Sequence, residues 1–263
     1  MSLIESIGRY TTERMQAFSD HLAFFGEAFV SFFSFWVHPR AFRLRDALLA
    51  FQRAAFDGLP ISSGIGFLLG LILAFQSAAI LKIFGAETFV ANMLAIALFR
   101  ELGPLVTAII LAGRSGSAFA AEIGTMKVDE ELDALSTMGL APVRFLVWPR
   151  VAAAILAMPI LTIFAELAGL LGGAIVLQLM NVPATVYWRN VVSSTTAFTI
   201  ILGLVKGCFF GLLVALIGCA AGMRTKGTSD GVGVSATSAV VGGIVAIAVA
   251  DGLLAVLCYL WEV

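Results

Sequence analysis

Charged residues are scarce in this chain. Only 13% of its 263 residues are Asp, Glu, Lys or Arg, and 60% are hydrophobic. Soluble domains are about a quarter charged and nearer half apolar, so the composition indicates an integral membrane protein. The formal net charge of −1 argues against a nucleic-acid partner, because such partners favour a strongly basic face.

Histidine and cysteine are too few and too scattered for the usual metal or disulfide patterns. The two histidines, His21 and His38, both lie near the N-terminus. The three cysteines, Cys208, Cys219 and Cys258, sit in apolar runs without C-x-x-C spacing. This pattern predicts neither a disulfide framework nor a metal site.

The chain also has no G-x-x-x-x-G-K-[ST] phosphate loop, the motif that cradles nucleotide phosphates. We therefore expect no cofactor in this chain and no enzymatic activity of its own. Any work done on a substrate would draw energy from a partner subunit or from an ion gradient.

One short motif resembles an intramembrane protease. Residues 113–116 read G-R-S-G, which is similar to the nucleophile motif of rhomboid-type serine proteases. A serine nucleophile needs a general base, and no histidine lies in a later apolar run. A dyad of Ser115 with Lys206 has no local support. Proteolysis is therefore disfavoured, and the glycines are better explained by helix packing.

Long hydrophobic runs, by contrast, are abundant. They predict five membrane spans, at about 59–82, 88–122, 145–180, 191–222 and 236–260, each long enough for a bilayer that needs roughly 20 residues. No secretory signal peptide is recognisable at the N-terminus, so insertion would use internal segments. The predicted fold class is an all-α integral membrane protein with an N-terminal region at 1–57 and a membrane domain at 58–263.

The N-terminal region differs from the predicted spans. Residues 22–37 are rich in phenylalanine but contain Glu27 and end at His38 and Pro39. This favours a helix at the membrane interface, and a short tilted first span is the alternative. Four arginines with leucines between them follow at 40–53, which predicts a second surface helix.

Basic residues are distributed unevenly among the predicted loops. With a cytoplasmic N-terminus, the opposite side keeps only Lys82 and Arg189. The positive-inside rule then predicts the N-terminus in the cytoplasm and the C-terminus outside. The basic residues on the predicted cytoplasmic side are Arg9, Arg14, Arg40, Arg43, Arg45, Arg53, Arg114, Lys127, Arg144, Arg150, Arg224 and Lys226.

Small residues recur every fourth position in four of the spans, which lets helix backbones approach closely. The sequence does not decide whether one of these ridges forms a seam between two copies. The ridges are Ala112–Gly116–Ala120–Gly124, Gly203–Gly207–Gly211, Gly66–Gly70 and Ser238–Gly242–Ala246–Ala250.

Ionisable residues inside the spans are Arg100, Glu101, Glu166, Lys206 and Asp251. Such groups are costly in lipid and usually pair or face a polar cavity. They predict either a charged cluster that functions in transport or an interhelical ion-pair network that only fixes geometry. Both interpretations remain open at this stage.

The segment 124–136 combines acidic residues with leucine. Gly124 is expected to loosen the helix as it leaves the membrane, and the acidic residues 129–131 suit the first turn of a new helix. Val128, Leu132 and Leu135 would share one face of that helix. We predict a short helix that inserts this stripe into a groove on a partner, with an ordinary solvated loop helix as the alternative.

A family resemblance becomes specific in residues 100–150. The motifs are RELGP, AGRSGSA, AEIGTM and the PR that precedes the third span. This stretch resembles the signature of the MlaE family, permease subunits of ABC transporters that act with MCE proteins in bacterial lipid trafficking. The likeness extends from about Arg43 to the C-terminus.

The resemblance implies an N-terminal elbow helix, five spans, a coupling helix between spans two and three, and a homodimer in the bacterial inner membrane. It also implies partners: a cytoplasmic ABC ATPase that holds ATP and magnesium, a STAS-domain protein, and a periplasmic MCE-domain ring. Phospholipid would occupy a cavity between the two copies.

The resemblance also assigns residues to roles. The lipid cavity would be lined by Leu73, Gln76, Ile80, Leu81 and Phe84, and the buried charges would be Arg100, Glu101, Lys206 and Asp251. The ATPase-coupling segment would include Glu122, Met126, Val128, Glu131, Leu132 and Leu135. Glu166 receives no role from the family pattern. Lys82 could meet a lipid phosphate, although an interfacial anchor is the simpler interpretation.

Two other function classes compete with the permease. A secondary transporter of a lipophilic substrate would couple ions through the buried charges, but such folds often contain internal repeats, and none is evident here. A structural scaffold would tolerate the loss of charge at Glu101 or Lys206. Neither the direction of transport nor the lipid head group follows from these patterns.

Overall fold

The computed structural model describes residues 15, 22–31 and 43–260, and all regular structure in this part of the chain is helical. Five stretches are long and apolar enough to cross a membrane, which confirms the all-α membrane class. The helices are α1 (Leu22–Ser31), α2 (Leu44–Phe56), α3 (Leu59–Leu81), α4 (Phe89–Val128), α5 (Glu131–Thr137), α6 (Val143–Leu179), α7 (Ala184–Ser194), α8 (Ala197–Met223) and α9 (Ser229–Leu260).

The last two long helices begin at other positions than the sequence predicted. Residues 191–194 belong to the short helix α7, and α8 starts at Ala197 after an extended backbone at Thr195 and Thr196. Tyr187 anchors α7, since its buried hydroxyl donates to the Leu170 carbonyl at 2.7 Å. Burial raises the pKa of the Tyr187 phenol, so the phenol keeps the proton that this bond needs. Helix α9 begins at Ser229, seven residues before the predicted start.

Helices α3 and α6 cross through small residues. A Cβ at Gly66 would overlap the Ala165 backbone, and one at Gly70 would overlap the Gly169 backbone. Only glycine permits this approach, in which backbones replace side chains as the contact surface. This ridge is therefore used within the chain.

Two other ridges are also internal. Gly116 of α4 packs against Gly218 of α8. A Cβ at Gly218 would overlap the Gly116 backbone. On α8, Gly203 lies against the Phe99 carbonyl and Gly211 against Ala154. The face of α9 with Gly243 and Ile247 is buried, whereas most of that helix is exposed at the surface of the single chain.

Helix α4 contains π-helical turns at Leu98–Leu102 and Ala112–Gly116. Pro104 explains the first, because proline has no N–H to donate to the preceding turn. The Gly103 N–H reaches back to the Leu98 carbonyl, and the Phe99 carbonyl is directed at Gly203 of α8. Such π turns often occur at functional sites, and this one carries Arg100 and Glu101.

The end of α4 differs from the prediction. Gly124 does not break the helix, which continues to Val128. A Cβ at Gly124 would lie 2.6 Å from the Thr225 hydroxyl oxygen, so the glycine serves close packing. The chain turns at Asp129 and Glu130, where Glu130 has a φ of 60°.

Ion pairs gather at one end of the bundle, which we call the arginine-rich end. Arg114 bonds Asp57 at 2.8 Å, and Glu122 pairs with Arg53 at 3.3 Å and with Arg150 at 2.9 Å. These contacts join α2 to α4 and α6. The loop after α8 lies at the same end, because Lys127 donates to the Met223 carbonyl.

The described part of the N-terminal region contains α2, which overlaps the predicted second surface helix, and the earlier helix α1. Helix α1 covers Leu22–Ser31, about 15 Å at 1.5 Å per residue. The Trp148 indole N–H donates to the Ser31 hydroxyl at 2.8 Å, which joins α1 to the start of α6. Residues 32–37 of the predicted interfacial helix lie outside the described residues.

Candidate functional site

Lys206 is the centre of a charged cluster that three helices build. Its amino group pairs with the Glu101 carboxylate of α4 and lies 2.5 Å from the Asp251 carboxylate of α9. The Lys206 side chain is only 7% exposed. The structure thus joins three of the predicted charged residues, although they are far apart in sequence.

The small residues around Lys206 make this meeting possible. Gly203 lies one turn before Lys206 on α8, Gly207 directly follows it, and both approach Pro104 of α4. A Cβ at Gly203 would overlap the Phe99 carbonyl, so this glycine lets α8 come close enough to α4 for the lysine to reach Glu101. The Phe210 ring, one turn further, lies 5.9 Å from the ammonium group and adds a weak cation–π contact.

Glu101 differs from its partners in exposure. Its side chain is 37% exposed, against 19% for Asp251. Glu101 lies about 18 Å along α4 from Phe89 at 1.5 Å per residue, well inside an apolar span. A carboxylate with this exposure is costly against lipid tails, so its open side requires a polar surrounding.

Arg100 precedes Glu101 in the same π turn and is half-buried. Glu166 of α6 is 2% exposed, and its carboxyl group packs against Gly103. No lysine or arginine among the described residues forms an ion pair with Glu166. Glu166 therefore stands apart from the Lys206 cluster.

Three buried hydroxyls were not singled out by the sequence. Ser62, Thr107 and Thr162 are fully buried and lack a hydrogen-bond partner among the described residues. Thr162 lies one helical turn before Glu166, a spacing that would have indicated a shared polar face on α6.

The predicted lipid-cavity residues divide into two groups. Leu73 and Leu81 pack against a core formed by α3, α4, α6 and α7. Gln76, Ile80 and Phe84 are exposed and follow one another at four-residue intervals, which places them on one line along the surface. In the single chain this line is open, so a closed cavity there would need another molecule.

The predicted coupling residues lie on two helices. Val128, Leu132 and Leu135 therefore do not form one apolar stripe on a single helix, as the sequence predicted. Met126 and Val128 end α4, while Leu132 and Leu135 belong to α5. Leu132 is 8% exposed in the chain's own core, and Leu135 packs against the same core. These leucines cannot insert into another protein's groove without leaving that core. The outward positions around α5 include Glu131, Asp133, Ala134, Met138 and Leu140.

Glu122 also has a different environment from the one expected. Its carboxylate pairs with Arg53 and Arg150. Glu122 belongs to the AEIGTM motif and Arg150 to the PR motif, but the sequence did not predict that these two residues pair. The described residues contain no group of three His, Cys, Asp or Glu side chains suited to a metal ion.

Comparison with known proteins agrees with this architecture. Residues 48–257 match the family described as Permease MlaE. A probable ABC transporter permease of Rickettsia typhi is 38% identical over 78% of this chain and 79% of its own. A probable ABC transporter permease of Synechocystis is 40% identical, with 72% and 73% covered.

A third relative has a more specific name. The intermembrane phospholipid transport system permease protein MlaE of Haemophilus influenzae is 36% identical over 67% of this chain and 68% of its own. The family match spans most of the chain, including the π turn with Glu101 and the positions of Lys206 and Asp251. This chain belongs to the MlaE permease family.

Proposed function

We propose that this chain is the transmembrane permease subunit of an ABC transporter that moves phospholipids and is driven by a separate ATPase subunit. Family membership and the name of the Haemophilus influenzae relative support this assignment. The observation that carries it furthest is the half-exposed Glu101 deep in an apolar span, since such a group needs a polar cavity beside it.

The cavity would form between two copies of the chain. Gln76, Ile80 and Phe84 present a mostly apolar line with one amide, which suits acyl chains. The Glu101–Lys206–Asp251 cluster would supply charge near the lipid head group. This division fits the general pattern of ligand sites, which are mostly apolar with a few placed polar groups.

The ATPase would bind at the arginine-rich end, through the outward side of α5. Met138 is 66% exposed and Leu140 is 40% exposed, so these residues could enter a groove while Leu132 holds α5 to the bundle. Glu131 and Asp133 would lie at the rim of that contact, where charge sets specificity more than affinity.

We place the protein in the bacterial inner membrane, with the arginine-rich end in the cytoplasm in accord with the positive-inside rule. The N-terminus would then be cytoplasmic and the C-terminus periplasmic. A STAS-domain protein would accompany the ATPase, and an MCE-domain ring would receive or deliver lipid at the opposite end.

The experiment is to co-express the permease with its ATPase, purify the complex and measure ATP-dependent lipid movement in proteoliposomes. We expect lipid movement only with ATPase and ATP present. Movement driven by a proton or sodium gradient without the ATPase would contradict the proposal and favour a secondary transporter.

The docking site has its own test. Met138→Asp should reduce ATPase retention on the tagged permease by at least tenfold, since it places a charge in an apolar contact. Gly227→Asp is the matched control, because it adds the same charge at the same end where nothing lies within 4 Å of a Cβ. Equal retention by both variants and the wild type would contradict docking through α5.

A further inference from the structure

The core of the bundle contains a carboxyl group and two hydroxyls that the Lys206 cluster does not use. Glu166 of α6 is 2% exposed, and Thr107 of α4 and Thr162 of α6 are fully buried. Neither hydroxyl has a hydrogen-bond partner among the described residues, although a threonine inside a helix can donate to the carbonyl four residues before it. Glu166 forms no ion pair with a described lysine or arginine. Buried polar groups without a partner are uncommon, and a bound water or ion is one reason for them.

The packing of α4 against α6 brings these three groups to one level of the bundle. The Glu166 carboxyl group packs against Gly103 of α4. Helix α4 runs toward the arginine-rich end and α6 runs away from it, so the two helices are antiparallel. Thr107 lies one turn after Gly103, and Thr162 lies one turn before Glu166. Residues four apart share a helix face, so the two threonines lie opposite each other beside the carboxyl group.

Space for a small ligand exists beside Thr162. A Cβ at Gly207 of α8 would lie 3.4 Å from the Thr162 hydroxyl oxygen, 3.6 Å from the Met158 methyl group and 3.9 Å from the Pro104 Cβ. These are ordinary contact distances, so the core has room for about one methyl group at this point. A space of this size with a polar wall suits a single water molecule or a small ion.

We propose that Glu166, Thr162 and Thr107 bind one sodium ion between α4, α6 and α8. A proton would neutralise Glu166 but leave both hydroxyls without a partner. A water molecule would bond the hydroxyls but leave a buried carboxylate without a countercharge, which is costly. One sodium ion meets both needs, because hard cations take oxygen ligands. A single carboxylate balances a single positive charge, and the methyl-sized space favours sodium over the larger potassium ion.

The inference goes beyond the proposed function and does not depend on it. The ion is a resident of the core that compensates Glu166, and its binding requires no sodium flux and no ATPase. Lipid movement driven by a sodium gradient would contradict the proposed function whether or not sodium binds at Glu166. Failure of sodium binding would leave the proposed function untouched.

The first test measures the ion directly. Full-length permease in detergent is exchanged into choline chloride, and the binding of radiolabelled sodium is followed by a scintillation proximity assay. We expect one sodium ion per chain, displaced by unlabelled sodium at least tenfold more effectively than by potassium. Glu166→Gln should weaken binding at least tenfold, since it keeps the shape of the side chain and removes its charge. Glu122→Gln, which neutralises a carboxylate at the arginine-rich end, is the matched control and should not change binding.

The second test separates ion binding from a purely structural role of Glu166. Sodium at a hundredfold excess over its Kd should raise the Tm of the wild type by roughly 5–10 °C relative to choline. Glu166→Gln should show no such rise. In choline its Tm should equal or exceed that of the wild type, because the amide has no charge to compensate. A structural carboxyl group would instead give a lower Tm in both salts.

The third test changes the walls of the site. Gly207→Ala fills the space beside Thr162 with a methyl group and should weaken sodium binding several-fold. Gly252→Ala is its control, because a Cβ at Gly252 has no atom within 4 Å. Thr162→Val keeps the side-chain shape, removes the hydroxyl and should also weaken binding. Ser235→Ala is the control for this variant, since the buried Ser235 hydroxyl already accepts a hydrogen bond from Thr225.

Three outcomes would overturn the inference. Sodium binding no higher in the wild type than in Glu166→Gln would exclude the ion and favour a protonated acid or a water molecule at this position. Equal displacement by sodium and potassium would overturn the assignment to sodium. Binding that Glu101→Gln abolishes and Glu166→Gln leaves intact would move the ion to the Lys206 cluster.

Discussion

The ammonium group of Lys206 pairs with two carboxylates, those of Glu101 and Asp251. Lys206→Ala would leave Glu101 and Asp251 facing each other without a cation between them. Removing one partner of a buried ion pair typically costs about 3–5 kcal/mol, while Glu101 is open enough to be partly relieved by water. We expect transport to fall more than the amount of assembled protein, as measured by flux per purified permease.

A variant in which all three charged side chains are replaced by neutral ones can distinguish a role of the charges in transport from a role in holding the helices together. The triple variant Lys206→Met, Glu101→Gln, Asp251→Asn contains no uncompensated charge, so it should assemble as well as the wild type. Transport should stay low if the charges act on the lipid or change partners during the cycle. Recovery of transport in the triple variant would mean that the cluster only fixes the helix geometry.

At the scale of elements, Glu122 joins three helices through Arg53 of α2 and Arg150 of α6. Exposed ion pairs contribute only about 0–1 kcal/mol each, so Glu122→Gln should lower global stability little. Its effect should be local, because α2 loses a tie to the spans. Hydrogen–deuterium exchange in residues 44–56 should increase several-fold.

The matched control for Glu122→Gln lies within α2. Arg43 and Asp46 form an exposed pair three residues apart, and Asp46→Asn removes it while Arg43 keeps its place over the Phe145 ring of α6. Exchange in α2 should then change only near its first turn. If both variants raise exchange equally along α2, the tie through Glu122 is not what holds this helix.

Across the whole molecule, burial is unequal among the spans. About half of the most apolar window is buried in α4 and α6, against 22% for the window that includes α3 and 17% for α9. The central helices are thus enclosed, whereas α3 and α9 present apolar faces to lipid or to another chain. This arrangement suits a subunit that completes its cavity on association.

The proposed cavity between two copies of the chain predicts which side of α3 faces the other copy. Gln76→Cys, in a background without the native cysteines, should cross-link two chains through a flexible bifunctional thiol reagent. Phe75→Cys is the control, since Phe75 is also exposed but lies about 100° further round the helix. Equal or faster cross-linking through Phe75 would contradict the proposed cavity, as would a single-chain mass for the purified protein.

Local sequence alone determined the membrane class, the five apolar stretches and the family. Span length and apolarity need no tertiary contact to be recognised, because lipid imposes the same demand on every crossing helix. The motifs from RELGP to the PR before the third span are contiguous, so they could be identified directly. The charged residues inside spans were identified for the same reason, as exceptions in apolar runs.

Tertiary structure decided which of these residues meet and which way they face. Lys206 reaches Glu101 and Asp251 only because glycines bring α8 close to the π turn before Pro104. Gly124 looked like a helix breaker, but packing against Thr225 keeps α4 continuous and moves the turn to Glu130. Leu132 shared a sequence stripe with Val128, yet that turn separated them and buried Leu132 in the core. Spacing along one chain predicts neighbours on one helix, whereas contacts between helices depend on how closely backbones approach, which only the folded bundle specifies.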